Sequence, residues 1–243
     1  MTTRREEIVC ADIGDLARRA AAQWVRCAAE AIAGTGRFAV ALSGGNTPRA
    51  LYAALAGREC RSQIAWDRVH FFWGDERSVP ADHPDSNYRM AYETLLSQAP
   101  VLQANIHRIE TERGPEKAAA AYEAALRDCF ALAPGIFPRF DLILLGIGEE
   151  GHTASLFPGS VALEVRERLV VATYVEKLKT DRVTFTLPLL NSAAEVAFLV
   201  SGKSKAGVVK EMLRDGANLP AARVSPVNGR LSWFLDKEAA ALL

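Results

Sequence analysis

Short apolar runs alternate with longer amphipathic stretches along almost the whole chain. Phe38 to Leu42, Val69 to Trp73, Leu142 to Leu145 and Val196 to Val200 carry no formal charge and are too short for helices of ordinary length. Runs of this kind fit strands of a parallel sheet buried on both faces. Between them, apolar residues recur at helical spacing. Leu16, Ala20, Trp24, Cys27, Ala28 and Ile32 form one stripe, with Arg18, Arg19, Arg26 and Glu30 outside it. Asp12 can cap that helix, which is expected to run to Gly34. Further helices are expected from Pro48 through Leu55, with Gly57 as a stop, from Ser86 or Asn87 to before Pro100, from Pro115 to Leu132, and after Lys205 to Leu213. Additional strands are expected at Ile8–Cys10, Ile106–Ile109, Leu169–Val175, Val183–Leu187 and Leu231–Leu235, with a closing helix over Asp236–Leu243. The alternation predicts a doubly wound, mostly parallel, Rossmann-like α/β sheet with helices on both faces, in a single domain spanning residues 1–243.

Composition narrows the partners. Lysine plus arginine equals aspartate plus glutamate at 29 each, so the formal net charge is zero. A neutral chain lacks the electrostatic footprint expected for nucleic acid or an anionic membrane, and it leaves room for a small anion met by local cations. Cys10, Cys27, Cys60 and Cys129 form no CxxC pair or zinc spacing and read as reduced thiols of a cytoplasmic protein. No apolar run approaches the roughly 18–20 residues that span a bilayer, and no apolar signal segment follows Arg4-Arg5.

Four loops at strand ends carry the candidate chemistry. Ser43-Gly44-Gly45-Asn46-Thr47-Pro48 follows the second strand and opens a helix, a pattern suited to a phosphate. It is neither the GxGxxG dinucleotide fingerprint nor a Walker A loop. Gly74-Asp75-Glu76-Arg77 follows a buried strand directly, so its charges either are solvated or face a cleft; Arg77 would suit a phosphate or carboxylate. Gly146 to Gly159 follows Leu142–Leu145 and brings Glu149, Glu150, His152, Thr153 and Ser155 to the strand's carboxyl end, where ligands of open α/β sheets sit. His152 is the candidate general base. Gly202-Lys203-Ser204-Lys205 is a second candidate phosphate clamp. His83 and His107 read as surface residues, His70 as a packed strand residue, and the four histidines lack metal-ligand spacing. No cofactor is implied, and the absence of GxSxG argues against a serine nucleophile.

Four segments resemble the 6-phosphogluconolactonase family: ALSGGNTPRALYAAL (41–55), WDRVHFFWGDERSVPADHPDSNYRMAYETLL (66–96), FDLILLGIGEEGHTASLFPGS (140–160) and RVTFTLPLLNSAAEVAFLVSGKSKAGVVKEML (182–213). Gly-Asp-Glu-Arg together with Gly-His-Thr-Ala-Ser-Leu-Phe-Pro is the specific part. The resemblance implies hydrolysis of a phosphosugar lactone in the oxidative pentose phosphate pathway, and it adds Arg182 to the pocket. The chain departs from the family's usual residues in having Glu150 before Gly-His, where aspartate is common, and Asn46 where serine is common.

That activity suits the residues. A δ-lactone is an activated ester that needs neither a metal nor a covalent nucleophile. A base, donors for the oxyanion and a remote phosphate grip suffice. His152 would be the base and Glu150 its holder. Ser43, Gly44, Gly45, Asn46, Thr47, Asp75, Arg77, Arg182 and Lys205 would bind substrate, with the oxyanion donors unassigned. The imidazole pKa is expected near ~6.5, or higher where Glu150 stabilises the charged ring. A glucosamine-6-phosphate deaminase would carry a further acid after the histidine, where this chain has Thr153-Ala154-Ser155-Leu156-Phe157-Pro158. A non-catalytic sugar-phosphate sensor would bring a DNA-binding module or lack the base. A monomer or weak homodimer is expected.

Overall fold

The computed structural model describes residues 4–243. Nine strands are present among them: β1 Arg4–Cys10, β2 Phe38–Leu42, β3 Val69–Trp73, β4 Asp75–Arg77, β5 Leu142–Leu145, β6 Val170–Val175, β7 Thr180–Phe185, β8 Glu195–Val200 and β9 Arg230–Asp236. Six of them pair in the order β1-β9-β8-β5-β2-β3, and every pairing in that sheet is parallel. β2, β5 and β8 are buried at every position. This burial explains why they read as continuous apolar runs rather than alternating ones.

The helices are α1 Ile13–Thr35, α2 Asn46–Ala56, α3 Arg58–Arg61, α4 Asn87–Ala91, α5 Pro115–Cys129, α6 Leu187–Leu190 and α7 Ala206–Leu213. Asp12 caps α1 by accepting from the Asp15 N–H at 2.8 Å. The helix runs one residue further than Gly34 suggested and closes on Gly36, whose φ of 80° is the left-handed conformation glycine adopts freely. Its stripe places Trp24 edge-on to Phe38 and stacked near Phe71, which joins α1 to the sheet. α4 continues through a turn of π-helix at Tyr92–Leu96.

Three expectations are corrected. Ile106–Ile109 is not a strand; it meets β3 through a single bridge, Phe71 to Ile106. Residues 237–243 form turns, not a helix. β6 and β7 do not extend the parallel sheet: they pair antiparallel with each other, and β7 pairs with β4 inside the stretch read as a loop. Gly74 is the transfer point. Its N–H donates to Leu42 O in the parallel sheet while its carbonyl accepts from Phe185 N at the end of β7.

Strand order reverses between β2 and β5. From β2 the chain moves outward to β3, then returns to β5 on the other side and continues through β8 and β9. A crevice opens at such a reversal, beyond the carboxyl ends of the two strands. The loops after Leu42 and Leu145 both begin there.

Candidate active site

The Ser43–Thr47 loop leads into α2 without a side-chain cap, and α2 has no acidic residue in its first turn. Its leading N–H groups therefore face outward with the positive end of the helix dipole. Gly45 makes the turn at φ 103°. At Gly44 a Cβ would lie 1.9 Å from Asn87 Oδ1, so only glycine lets the two segments close. Opposite stands the start of α7, also without a side-chain cap or early acid. A pocket of about 360 Å³ lies between them, lined by Gly44, Asn46, Thr47, Gly146, Ser204 and Lys205 among others. Thr47 Oγ1 and Ser201 Oγ, 2.7 Å apart, join its two walls. Two expected phosphate clamps thus form one anion-receptive pocket. Ser43 is buried and its Oγ lacks a hydrogen-bond partner among the described residues.

His152 stands in the loop after β5. Its ring stacks on Phe157 at 4.0 Å between centroids. Its Nδ1 and Cε1 lie close to Gly148, where a Cβ would be 2.0 Å from Nδ1 and 2.7 Å from Glu150 Oε2. Glu150 Oε2 approaches Nδ1 to 3.2 Å, an ion-pair distance, although the atoms are not aligned as a hydrogen bond. Lys177 holds the other carboxylate oxygen at 3.0 Å. Burial raises the Glu150 pKa, but its own backbone N–H, Lys177 and His152 outweigh that and hold it at about 2. Burial lowers the His152 pKa below 6.5 and prevails over Glu150 and Asp75, which raise it; Lys205 adds to the lowering. The expectation of an ordinary or raised imidazole pKa is therefore reversed.

The charged trio after Gly74 divides by role. Asp75 is buried and accepts from Ser155 Oγ at 2.6 Å, which ties β4 to the histidine loop. Asn87 Nδ2 donates to the Asp75 carbonyl at 2.9 Å and reaches Oδ1 at 3.3 Å. Asn87 thereby locks the Gly44 loop to Asp75. Glu76, also buried, accepts from the N–H groups of Arg77, Asn87 and Tyr88 and from Ser86 Oγ. It holds the start of α4 and is structural.

Arg77 and Arg182 are cross-strand partners on β4 and β7. Arg77 donates to Asp85 O at 2.6 Å. The buried Arg182 Nε has no hydrogen-bond partner among the described residues, and burial and then Arg77 lower the Arg182 pKa. Two adjacent guanidiniums of this kind suit an anion. Neither lines the pocket that holds Lys205.

Asn87, Lys177 and Gly148 were missed as site-forming residues. Asn87 reads locally as a helix start and Lys177 as one lysine of a charged turn. Gly148 had a detectable signal, since a second glycine two residues after Gly146 marks a close approach.

The fold and these loops define a class: an α/β protein with an anion-receptive pocket and a histidine–carboxylate pair at the reversal point of a parallel sheet. The chain belongs to the glucosamine-6-phosphate isomerase/6-phosphogluconolactonase family, whose model matches residues 11–233. It is 48% identical to a 6-phosphogluconolactonase of Synechocystis sp. over 214 residues, 86% of each chain. It is 43% identical to one of Nostoc sp. over 217 residues, 88% of each chain. The solved 6-phosphogluconolactonase of Trypanosoma cruzi superposes with a TM-score of 0.88 at 30% identity, covering 100% of this chain and 98% of the other.

Proposed function

We propose that this protein hydrolyses 6-phospho-D-glucono-1,5-lactone to 6-phospho-D-gluconate, the lactonase step of the oxidative pentose phosphate pathway. The observation that carries the reading is His152, stacked on Phe157 and close against Gly148 in the loop after β5, which also brings Gly146 and Ile147 to the anion pocket. The names of the relatives support it. A lowered pKa keeps the imidazole neutral near pH 7, the form a base requires. Buried Nδ1 faces Glu150, which leaves Nε2 as the proton acceptor.

Water attacks the lactone carbonyl carbon as His152 takes its proton. The tetrahedral intermediate then collapses with cleavage of the bond to the ring oxygen, which recovers the proton from the imidazolium. Glu150, ionised and held by Lys177, stabilises that imidazolium during the step. The phosphate binds at the paired helix starts with Lys205, or at Arg77 and Arg182, and in either place fixes the reacting end. Residues 153–158 offer no carboxylate for the ring opening of an amino sugar, which disfavours the deaminase. All four cysteines are free, in keeping with a cytoplasmic protein.

The test is acid release from freshly made 6-phosphogluconolactone, with spontaneous hydrolysis subtracted. Acceleration by purified protein supports the reading. Absence of acceleration, with turnover of glucosamine 6-phosphate instead, would overturn it.

A further inference from the structure

On the far half of the edge strand β3 the structure assembles a cluster that no local spacing announces. His70 projects from β3. His107 follows the single bridge at Ile106, its N–H donating to Phe71 O. Cys129 is the last residue of α5. His70 Nδ1 lies 3.2 Å from His107 Nε2, and one ring nitrogen of each histidine and Cys129 Sγ all lie within 4.8 Å of one another. All three residues are half-buried. His107 is therefore not the isolated surface residue expected from sequence. Its ring also stacks on Phe72 at 4.4 Å.

We propose that His70, His107 and Cys129 bind one zinc ion, separately from the lactone site. Zinc takes imidazole nitrogen at about 2.0–2.1 Å, so two nitrogens on a tetrahedral ion stand about 3.3–3.4 Å apart. The 3.2 Å separation is thus already close to that edge. One hydrogen suffices to join two neutral imidazoles, and a cation can replace it. A hydrogen-bonded histidine pair by itself leaves the nearby sulfur unexplained, whereas two nitrogens and a thiolate make a borderline-soft donor set that suits zinc. The half-exposed position leaves a fourth site for water.

Arg37 bears on the sulfur directly: Nη1 donates to Cys129 O at 2.8 Å and lies 3.7 Å from Sγ. Its charge repels the cation, so binding weaker than in a four-ligand structural site is expected. The ion would pin the β3 edge, the segment after Ile106 and the end of α5 together. His70 stands three residues before the end of β3, about 10 Å from the lactone loops.

The experiment titrates chelator-treated, reduced protein with cobalt(II) as an optical probe and then with zinc. One equivalent of cobalt should give a thiolate-to-cobalt charge-transfer band that zinc abolishes. Zinc at a hundredfold excess over its Kd should raise Tm by about 5–10 °C. Cys129→Ser should remove the charge-transfer band. Cys129→Ser and His107→Gln should each weaken zinc binding at least ~100-fold while lactone hydrolysis stays unchanged. Both variants are checked by circular dichroism, so a misfolded one is replaced as witness by the other. No charge-transfer band in folded wild-type protein would overturn the proposal, as would a band that survives Cys129→Ser or zinc affinity indifferent to His107.

Discussion

Replacing Gly148 by alanine tests the geometry of the proposed base without touching its chemistry. The new Cβ would lie 2.0 Å from His152 Nδ1 and 2.1 Å from Cε1. An ordinary contact begins near 3.4 Å, so the ring must retreat by about 1.4 Å. Phe157 stacks on the ring and limits where it can go, and Glu150 Oε2 would be 2.7 Å from the same methyl. Misplacing a reacting group by ~1 Å costs about 10²-fold, and complete loss of a general base costs about 10²–10⁴-fold. A fall in kcat of about 10²–10³-fold is expected, or roughly 3–4 kcal/mol of barrier. KM should change little, because the anion pocket is built on other residues. Overpacking should also cost about 1–3 kcal/mol of stability, read from denaturant unfolding. Gly146→Ala is the comparison: nothing lies within 4 Å of its Cβ, but Gly146 lines the anion pocket, so any effect should fall on KM. The assay is initial-rate acid release at several lactone concentrations, with spontaneous decay subtracted. A folded Gly148→Ala protein with kcat within threefold of wild type, on the order of 0.7 kcal/mol, would refute the placement of His152 as base.

Other outcomes follow from the same geometry. Because burial lowers the His152 pKa, kcat/KM should rise with pH through an apparent pKa below 6.5 and level off by neutrality; Glu150→Gln removes an influence that raises it and should move the limb further toward acid. A midpoint above 7 in wild type, or no acid-ward movement in the variant, would contradict this. Lys205→Met should cut kcat/KM for the phosphorylated lactone about ten- to hundredfold, or 1.5–3 kcal/mol, and spare turnover of unphosphorylated gluconolactone; equal losses on both would place Lys205 in folding or chemistry. Arg182→Met should weaken the same substrate yet leave the melting temperature unchanged or higher, since it removes a half-buried guanidinium beside Arg77 whose buried Nε has no hydrogen-bond partner among the described residues. Glu76→Gln leaves fewer acceptors for four donors and should cost about 1–3 kcal/mol in denaturant unfolding, and an unchanged midpoint would show that Glu76 does not hold α4.

Local sequence determined the buried strands, the helical stripes and the loops that carry chemistry. Phe38–Leu42 and Leu142–Leu145 are apolar throughout because both faces of a central parallel strand are covered, and the glycines after them mark where the backbone must turn or come close. Such features depend on neighbours along the chain. Tertiary structure decided what depends on distant partners. The passage through Gly74 into a second, antiparallel sheet required Phe185, and the tie of Asp75 to Ser155 spans eighty residues. The split of Asp75, Glu76 and Arg77 into three roles came from what each meets, since adjacent strand residues point to opposite faces. The direction of the His152 pKa was decided in the same way. The carboxylate beside it was visible in the sequence, but the burial that outweighs that carboxylate comes from how the loop packs in the folded chain. His70, His107 and Cys129 met for a related reason: β3, the segment bridged to it and α5 converge only when the sheet is assembled, and ligand spacing along the chain carries no trace of that convergence.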